Sequence, residues 1–250
     1  NIDVLFTTPA AGSVKDIQFG ERRRIDSITI RVAENDEVVS FEPYSLEQIS
    51  TLDSAKVTEI LCKSGLWPSL RRRPFSKIAI PNTFPKSIFI STMSTAPFAA
   101  GLEVVLEQAK QEIIQAGVDV LKFLTNGSIN MVSPQNLSNT KLTDLNNVQQ
   151  HTYSGPHPAG NIGVHVSKID PIKNKEDSIW YISIQDLISI GKLFLTGKVD
   201  YRKIITVAGS AVSEKQHYSV NRGTLISQIL SNNKVEVDAR IISGDVLSGS

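Results

Sequence analysis

The stretch IFISTMSTAPFAAGLEVVLEQAKQEIIQAGVDVLKFLTNGSINMVS, residues 88 to 133, decides the fold class of this chain. It opens on IFIST (88 to 92), a continuous apolar run suited to a strand buried on both faces. After Gly101, residues Leu102, Val105, Leu106, Ala109, Ile113 and Ala116 recur at three- and four-residue spacings. That periodicity predicts one amphipathic helix, with Gly117 closing it. SINMVS then reads as a second strand. Strand, helix, strand in this order predicts an α/β unit with parallel pairing.

The same rhythm returns downstream, where WYISI reads as a strand and QDLISIGKLFLTG as a helix with Leu187, Ile188 and Leu193 turned inward. Upstream, Ser45-Leu46-Glu47-Gln48 is a capping-box pattern. Val57, Ile60 and Leu61 mark a helical face after Asp53, with Gly65 as its stop. LWPSLRRRPFSKIAIPNTFP is too long and aromatic for a linker and is expected to be an ordered, packed loop. Residues 133 to 150 are polar and Asn-rich, which predicts exposure.

The flanks differ in character. Residues 1–43 read as short strands, VLFTTP, SVKDIQF, FGERRRID and SITIRV, separated by turns at Gly12 and Gly20. Ile28, Ile30 and Val32 alternate with Thr29 and Arg31, the period of a half-buried strand, and a small barrel or sandwich is the expected closure. From Lys203, KIITVAG and HYSV read as a strand pair, TLISQIL as a short helix capped by Thr224, and ARIISG as a further strand. The expected fold class is therefore a multi-module α/β protein. A β barrel-sandwich-like module spans 1–43, a Rossmann-like α/β domain 44–202 and a β-grasp module 203–250.

Composition limits the chemistry. The chain has 250 residues, 40% hydrophobic and 20% charged, with a formal net charge of +1. That is globular composition, and the charge balance gives no electrostatic case for nucleic acid. Arg71 to Arg73 form a short basic cluster, expected on a solvated surface. The single cysteine, Cys62, cannot build a disulfide framework, a Cys-rich zinc site or an iron–sulfur cluster, and is expected to be a buried small hydrophobe. No apolar run approaches the ~20 residues of a membrane span, and no signal peptide is seen at the start. The chain starts at Asn1 inside an apparent strand and closes on SGDVLSGS, so a fragment lacking both ends is expected.

GPHPAGNIGVHV, residues 155 to 166, is the densest motif. His157 and His165 lie eight apart in a segment whose glycines and prolines are expected to interrupt any helix. No Asp or Glu falls between Gln149 and Lys168, so a metal site lacks a carboxylate ligand as well as helical spacing. Gly155-x4-Gly160 is followed by Asn161-Ile162 and so lacks the lysine and hydroxyl of a P-loop. Glycines 155, 160 and 163 do not spell the dinucleotide fingerprint either. No G-x-S-x-G elbow is present. What remains is a backbone fixed by proline and glycine, a shaped loop of the kind that carries binding.

That loop, preceded by HTYS, closely resembles the G-P-H-P-A-G loop of the NqrA family, the A subunits of Na+-translocating NADH:quinone reductases. GLWPSLRRRPFSKI, PKSIFISTMSTAPFAA, ISIQDLISIGKLFLTG, IISGDVLSG and the early TTPAAGSV with GERR resemble the same family, in the same order. The resemblance implies a peripheral protein on the cytoplasmic face of the bacterial inner membrane. Its architecture would be similar to the flavoprotein of respiratory complex I. It implies a pump that couples NADH oxidation and quinone reduction to Na+ export. FAD, FMN, riboflavin and iron–sulfur centres would sit in other subunits, with none in this chain. Partners would be those subunits, the membrane-embedded NqrB above all, with quinone as substrate. The β module is also similar to lipoyl carriers, but its FGERRR hairpin lacks a modifiable lysine, so a scaffold is expected.

No catalytic or metal-ligating residue is assigned. Quinone-side or interface candidates are Trp67, Arg73, Phe75, Phe98, Gly155, His157, Gly160, Gly163 and His165. The plain alternative for Trp67 and Phe75 is core packing, and for the histidines a structural hydrogen bond. A self-contained flavin or nicotinamide enzyme on the same fold is the competing functional class, against which the absent glycine fingerprint argues. A ferredoxin-linked membrane protein is the third, whose C-x-x-C runs this chain lacks.

Overall fold

The computed structural model describes residues 3–34, 37–137, 140–231, 233–235 and 238–249. At the N-terminal end, β1 (Gly12–Phe19) and β2 (Ile25–Val32) form an antiparallel hairpin. Val14 faces Ile30 and Ile17 faces Ile28, so the apolar side chains gather on one face. That face is open, with Ile28 51% and Val32 63% exposed, because a two-stranded ribbon has no second layer over it. The expected half-burial is therefore not found in this chain. Residues 4–8 carry no strand either. They are tethered instead: the Leu5 N–H donates to the Cys62 carbonyl at 3.1 Å and the Thr7 hydroxyl to the Ser64 carbonyl at 3.2 Å.

The helical signals that follow are met. Ser45 and Gln48 close a capping box on α1 (Leu46–Ile49). Asp53 accepts from the Lys56 N–H at 2.7 Å to start α2 (Ser54–Lys63), and Gly65, at φ +73°, ends it. Cys62 is buried, which pushes its thiol pKa up to about 11 and leaves it inert at neutral pH. The proline-rich segment is more than a loop. A 3-10 turn at Trp67–Ser69 leads into a small hairpin of β3 (Arg71–Arg73) and β4 (Lys77–Ile78). The arginine run is thus a strand near the sheet edge: Arg71 is exposed, Arg72 and Arg73 are half-buried.

The central sheet and the helices that alternate with its strands continue through β5 (Ser87–Ser91), α3 (Leu102–Glu107), α4 (Gln111–Lys122), β6 (Ser128–Pro134), α5 (Thr140–Thr143), β7 (Gln149–Tyr153), α6 (Ile162–Ile169), β8 (Ile179–Ser183) and α7 (Ile184–Thr196). Its order is β4-β3-β8-β5-β6-β7, with β8, β5, β6 and β7 parallel and β3 antiparallel to β8. Alternation along the strands splits the core. Ile88, Ile90, Trp180 and Ile182 face the larger cluster that includes α2, α4 and α7, while Phe89, Val132 and Ile179 meet Val166 of α6.

Three expectations change here. The helix after Gly101 is two helices, α3 and α4, broken at Gln108–Lys110. Gly117 does not close a helix but lies buried inside α4, where an added Cβ would stand 2.7 Å from the Leu187 carbonyl oxygen. Residues 133–150 are only partly exposed, since Leu142 and Leu145 are buried among them.

Beyond the sheet, β9 (Arg202–Val207) and β10 (Gln216–Asn221) pair antiparallel, as expected of KIITVAG and HYSV. The short helix α8 (Ile226–Ile229) follows, with Leu225 rather than Thr224 at its N-cap; the Thr224 hydroxyl donates to the Asn221 carbonyl. Residues 239–244 carry no strand. The β9–β10 pair is fastened to α7 by side chains. Gln185 donates to the Ile204 carbonyl and accepts from its N–H, at 3.0 and 2.8 Å, in the manner of another strand. Asp186 pairs with both Lys203 and Arg222, at 2.7 and 2.6 Å. Burial alone would raise the Asp200 pKa, but hydrogen bonds from Arg202 and Lys192 hold it well below the usual carboxylate range.

Candidate functional site

The chain passes from β5 outward through β6 to β7, and then returns through α6 to β8 on the other side of β5. The crevice beyond the carboxyl ends of β5 and β8 is therefore a topological switch point, the place where open α/β sheets bind ligands. Two loops converge at these ends. One is residues 92–101, after β5; the other is residues 154–161, after β7.

Thr95 joins them. Its hydroxyl accepts from the Gly160 N–H at 2.9 Å and lies 3.3 Å from His157 Nδ1. The hydroxyl still has a proton to donate and a second lone pair to accept with, so it holds the ring of the exposed His157 at Nδ1 in either tautomer. Gly160 is required by this contact: a Cβ there would stand 2.6 Å from the Thr95 nitrogen. Gly155 has φ +132°, a turn conformation open only to glycine at low cost.

The second half of the motif is helical. The expectation that its glycines and prolines interrupt any helix holds only as far as Asn161, the N-cap of α6. His165 is fully buried in that helix. Its Nε2 hydrogen bonds to the Ala159 carbonyl at 2.7 Å and its ring lies 5.0 Å from that of Tyr153. Burial lowers its pKa, against the opposing pull of the Ala159 bond, so the imidazole is neutral and anchors the loop from below. Gly163 lets the Arg73 guanidinium approach, since a Cβ would meet Nη2 at 3.0 Å. Arg73 in turn lies 5.9 Å from the Tyr181 ring centre, and Tyr181 and Ser76 share a hydrogen bond between hydroxyls.

The sequence candidates thus separate. Gly155, His157, Gly160 and His165 belong to one loop-and-helix unit, and Phe98, 62% exposed, lies three residues beyond Thr95. Arg73 reaches that unit through Gly163. Phe75 is 81% exposed on the β3–β4 turn, so core packing does not hold for it. Trp67 is fully buried, edge-on to Trp180 at 5.7 Å, with its Nε1–H donating to the Ala79 carbonyl at 2.8 Å. The residue missed from sequence is Thr95. Its signal is the hydroxylated set Ser91, Thr92, Ser94 and Thr95 at the end of a buried strand, where a fold of this type places its ligand. The Asp245 turn also borders the loop. Its carboxyl is held low by the Ser248 hydroxyl and nearby backbone N–H groups, with a further contribution from His157. Among the described residues no group of His, Cys, Asp and Glu could hold a metal ion, and no helix is long and apolar enough to cross a membrane. A wide groove of about 900 Å³, lined by Tyr44, Lys110, Ile113 and Leu195 among others, contains none of the candidates.

Comparison with known proteins places each segment. The model of the NqrA second alpha/beta domain matches residues 52–199, more than half of the chain. The NqrA N-terminal barrel-sandwich hybrid domain matches residues 1–33 and the NQRA C-terminal domain residues 204–250. The A subunit of the Na(+)-translocating NADH-quinone reductase of Glaesserella parasuis serovar 5 (strain SH0165) is 39% identical over 252 residues, covering 100% of this chain and 55% of that protein. Those of Yersinia pestis bv. Antiqua (strain Angola) and Pasteurella multocida (strain Pm70) are each 38% identical over 250 residues, with the same coverage. The chain spans about half the length of these curated relatives, 55%.

Proposed function

The chain belongs to the NqrA family, the A subunits of Na(+)-translocating NADH-quinone reductases, and from that premise we propose that it is the peripheral, carrier-free part of such a pump. In this reading it shapes the quinone side while other subunits carry the flavins (FAD, FMN, riboflavin) and iron–sulfur centres. Its partners are those subunits, the membrane-embedded NqrB in particular, and its place is the cytoplasmic face of the bacterial inner membrane. The finer architecture follows the same reading. Residues 44–202 form a Rossmann-like domain, supported by the parallel order β8-β5-β6-β7 with helices on both faces. Residues 1–43 are the barrel-sandwich module and 203–250 a β-grasp module.

One observation carries the quinone-side role. Thr95 holds the exposed His157 by Nδ1 beyond the carboxyl end of β5, on the same loop pair as the exposed Phe98, and Nε2 is the ring atom left to donate to a ligand. A hydrogen-bond donor beside an aromatic ring suits a quinone, which is a flat ring bearing carbonyl acceptors. Cys62 is a single buried thiol and the glycines of residues 155–163 form no phosphate cradle, which agrees with the lack of a carrier. The test is His157→Ala in the assembled complex. Quinone reduction is expected to fall about tenfold, the worth of one well-placed hydrogen bond, while NADH oxidation by artificial acceptors is unchanged. An equal loss in both assays would contradict the assignment.

A further inference from the structure

From residue 60 to residue 102 the chain contains no Asp or Glu, yet it carries Lys63, Arg71, Arg72, Arg73, Lys77 and Lys86. In a chain of net charge +1 this is a marked local excess. Lys63 pairs with Glu59 and Lys86 with Asp170, but Arg71, Arg72, Arg73 and Lys77 form no ion pair among the described residues. The same segment exposes its large apolar side chains. Phe75 is 81%, Phe84 52% and Ile80 46% exposed. Phe75 is also held at φ +74°, a conformation that costs a non-glycine residue free energy with no burial in this chain to offset it.

These features meet in space. The turn of the β3–β4 hairpin follows Arg73, which is paired with Ile179 at the start of β8. The Lys86 N–H donates to the Ser178 carbonyl at 2.8 Å, which brings the end of the Ile80–Lys86 segment to the same end of β8, on its other side. Phe75, on the β3–β4 turn, and Phe84, two residues before Lys86, therefore lie exposed at the same end of the sheet, on either side of β8, with Arg71 and Lys77 on β3 and β4.

We propose that this end of the sheet is a membrane-surface contact, in which Phe75 and Phe84 enter the headgroup region of an anionic bilayer and Arg71 and Lys77 pair with lipid phosphates. Isolated aromatic tips with cations behind them match the layered chemistry of a bilayer surface, apolar inside and anionic at the boundary. A folded acidic protein would instead call for a flat polar face opposite the cations. The inference stands apart from the quinone reading, since it uses none of Thr95, His157 or Phe98.

The full-length protein tests it by co-sedimentation with vesicles of phosphatidylcholine, alone or with about one-third phosphatidylglycerol. Binding is expected to be at least about tenfold tighter to the anionic vesicles and to weaken with salt. The pair Phe75→Ser and Phe84→Ser should weaken it about tenfold, and Arg71→Glu with Lys77→Glu should abolish the anionic preference. Phe75→Trp, at an exposed site, should gain blue-shifted emission only with anionic vesicles, which separates insertion from misfolding. No anionic preference, unchanged binding by these variants, or loss of binding only on replacing Val14 and Phe19 of the open N-terminal hairpin would overturn the proposal. So would binding to an acidic polypeptide without binding to vesicles.

Discussion

Trp67→Ala is expected to cost about 4 kcal/mol of stability, the range for truncating a fully buried tryptophan. Three losses combine. The ring is wholly buried, so its removal leaves a cavity in the main core. Its edge-on contact with Trp180 disappears. The Ala79 carbonyl, on a residue 2% exposed, loses the indole donor that satisfies it at 2.8 Å. Because Trp67 precedes β3 and Ala79 follows β4, the same change should loosen the hairpin that carries Arg73 and Phe75. Urea unfolding measures the loss, and Trp67→Phe, which keeps a ring but not the donor, should fall between the two.

Gly191→Ala should be nearly as damaging, about 3 kcal/mol, although alanine is the better helix former by about 1 kcal/mol. The crossing of α4 and α7 is so close that the new Cβ would stand 1.9 Å from the Ile113 carbonyl oxygen and 3.1 Å from the Gly117 nitrogen. Both are backbone atoms, so the helices must separate. Gly101→Ala supplies the contrast: its Cβ would meet only Val104, at 3.9 Å, and it should be close to neutral. Thermal unfolding of the two variants compares them directly; equal midpoints would refute the close crossing.

These glycines show where sequence reading stops. The period of Leu102 to Ala116 locates the helical region, and IFIST and WYISI locate the strands, because burial on both faces leaves a local apolar pattern. Whether Gly117 ends a helix or lets another one approach depends on Leu187 and Gly191, some seventy residues away, and no local pattern records that. The break between α3 and α4 is equally silent, as Gln108 and Lys110 are good helix formers. Ile28 and Val32 show the opposite failure. Their alternation does mark one apolar face, but alternation cannot say whether a second layer is there to cover it.

The site is half legible in the sequence. GPHPAG announces a specified backbone, and the cause is visible in Gly155 at φ +132° and in Gly160 against Thr95. His165 and Trp67 show in the sequence only that they are residues with uses; burial assigns one to anchoring the loop and the other to the core. Thr95 escapes notice because a threonine is ordinary until the fold sets it opposite residues 157 and 160. Spacing along the chain carries no trace of that pairing.

The proposed placing of the crevice formed by residues 92–101 and 154–165 on the quinone side of the assembled pump is open to a direct test. The most direct measurement is photo-crosslinking of a quinone analogue to the intact complex, followed by peptide mapping. Label is expected in this chain on peptides containing Thr95 to Phe98 or His157, competed away by native quinone. Label found only in other subunits, or in this chain only on peptides outside those two loops, would contradict it.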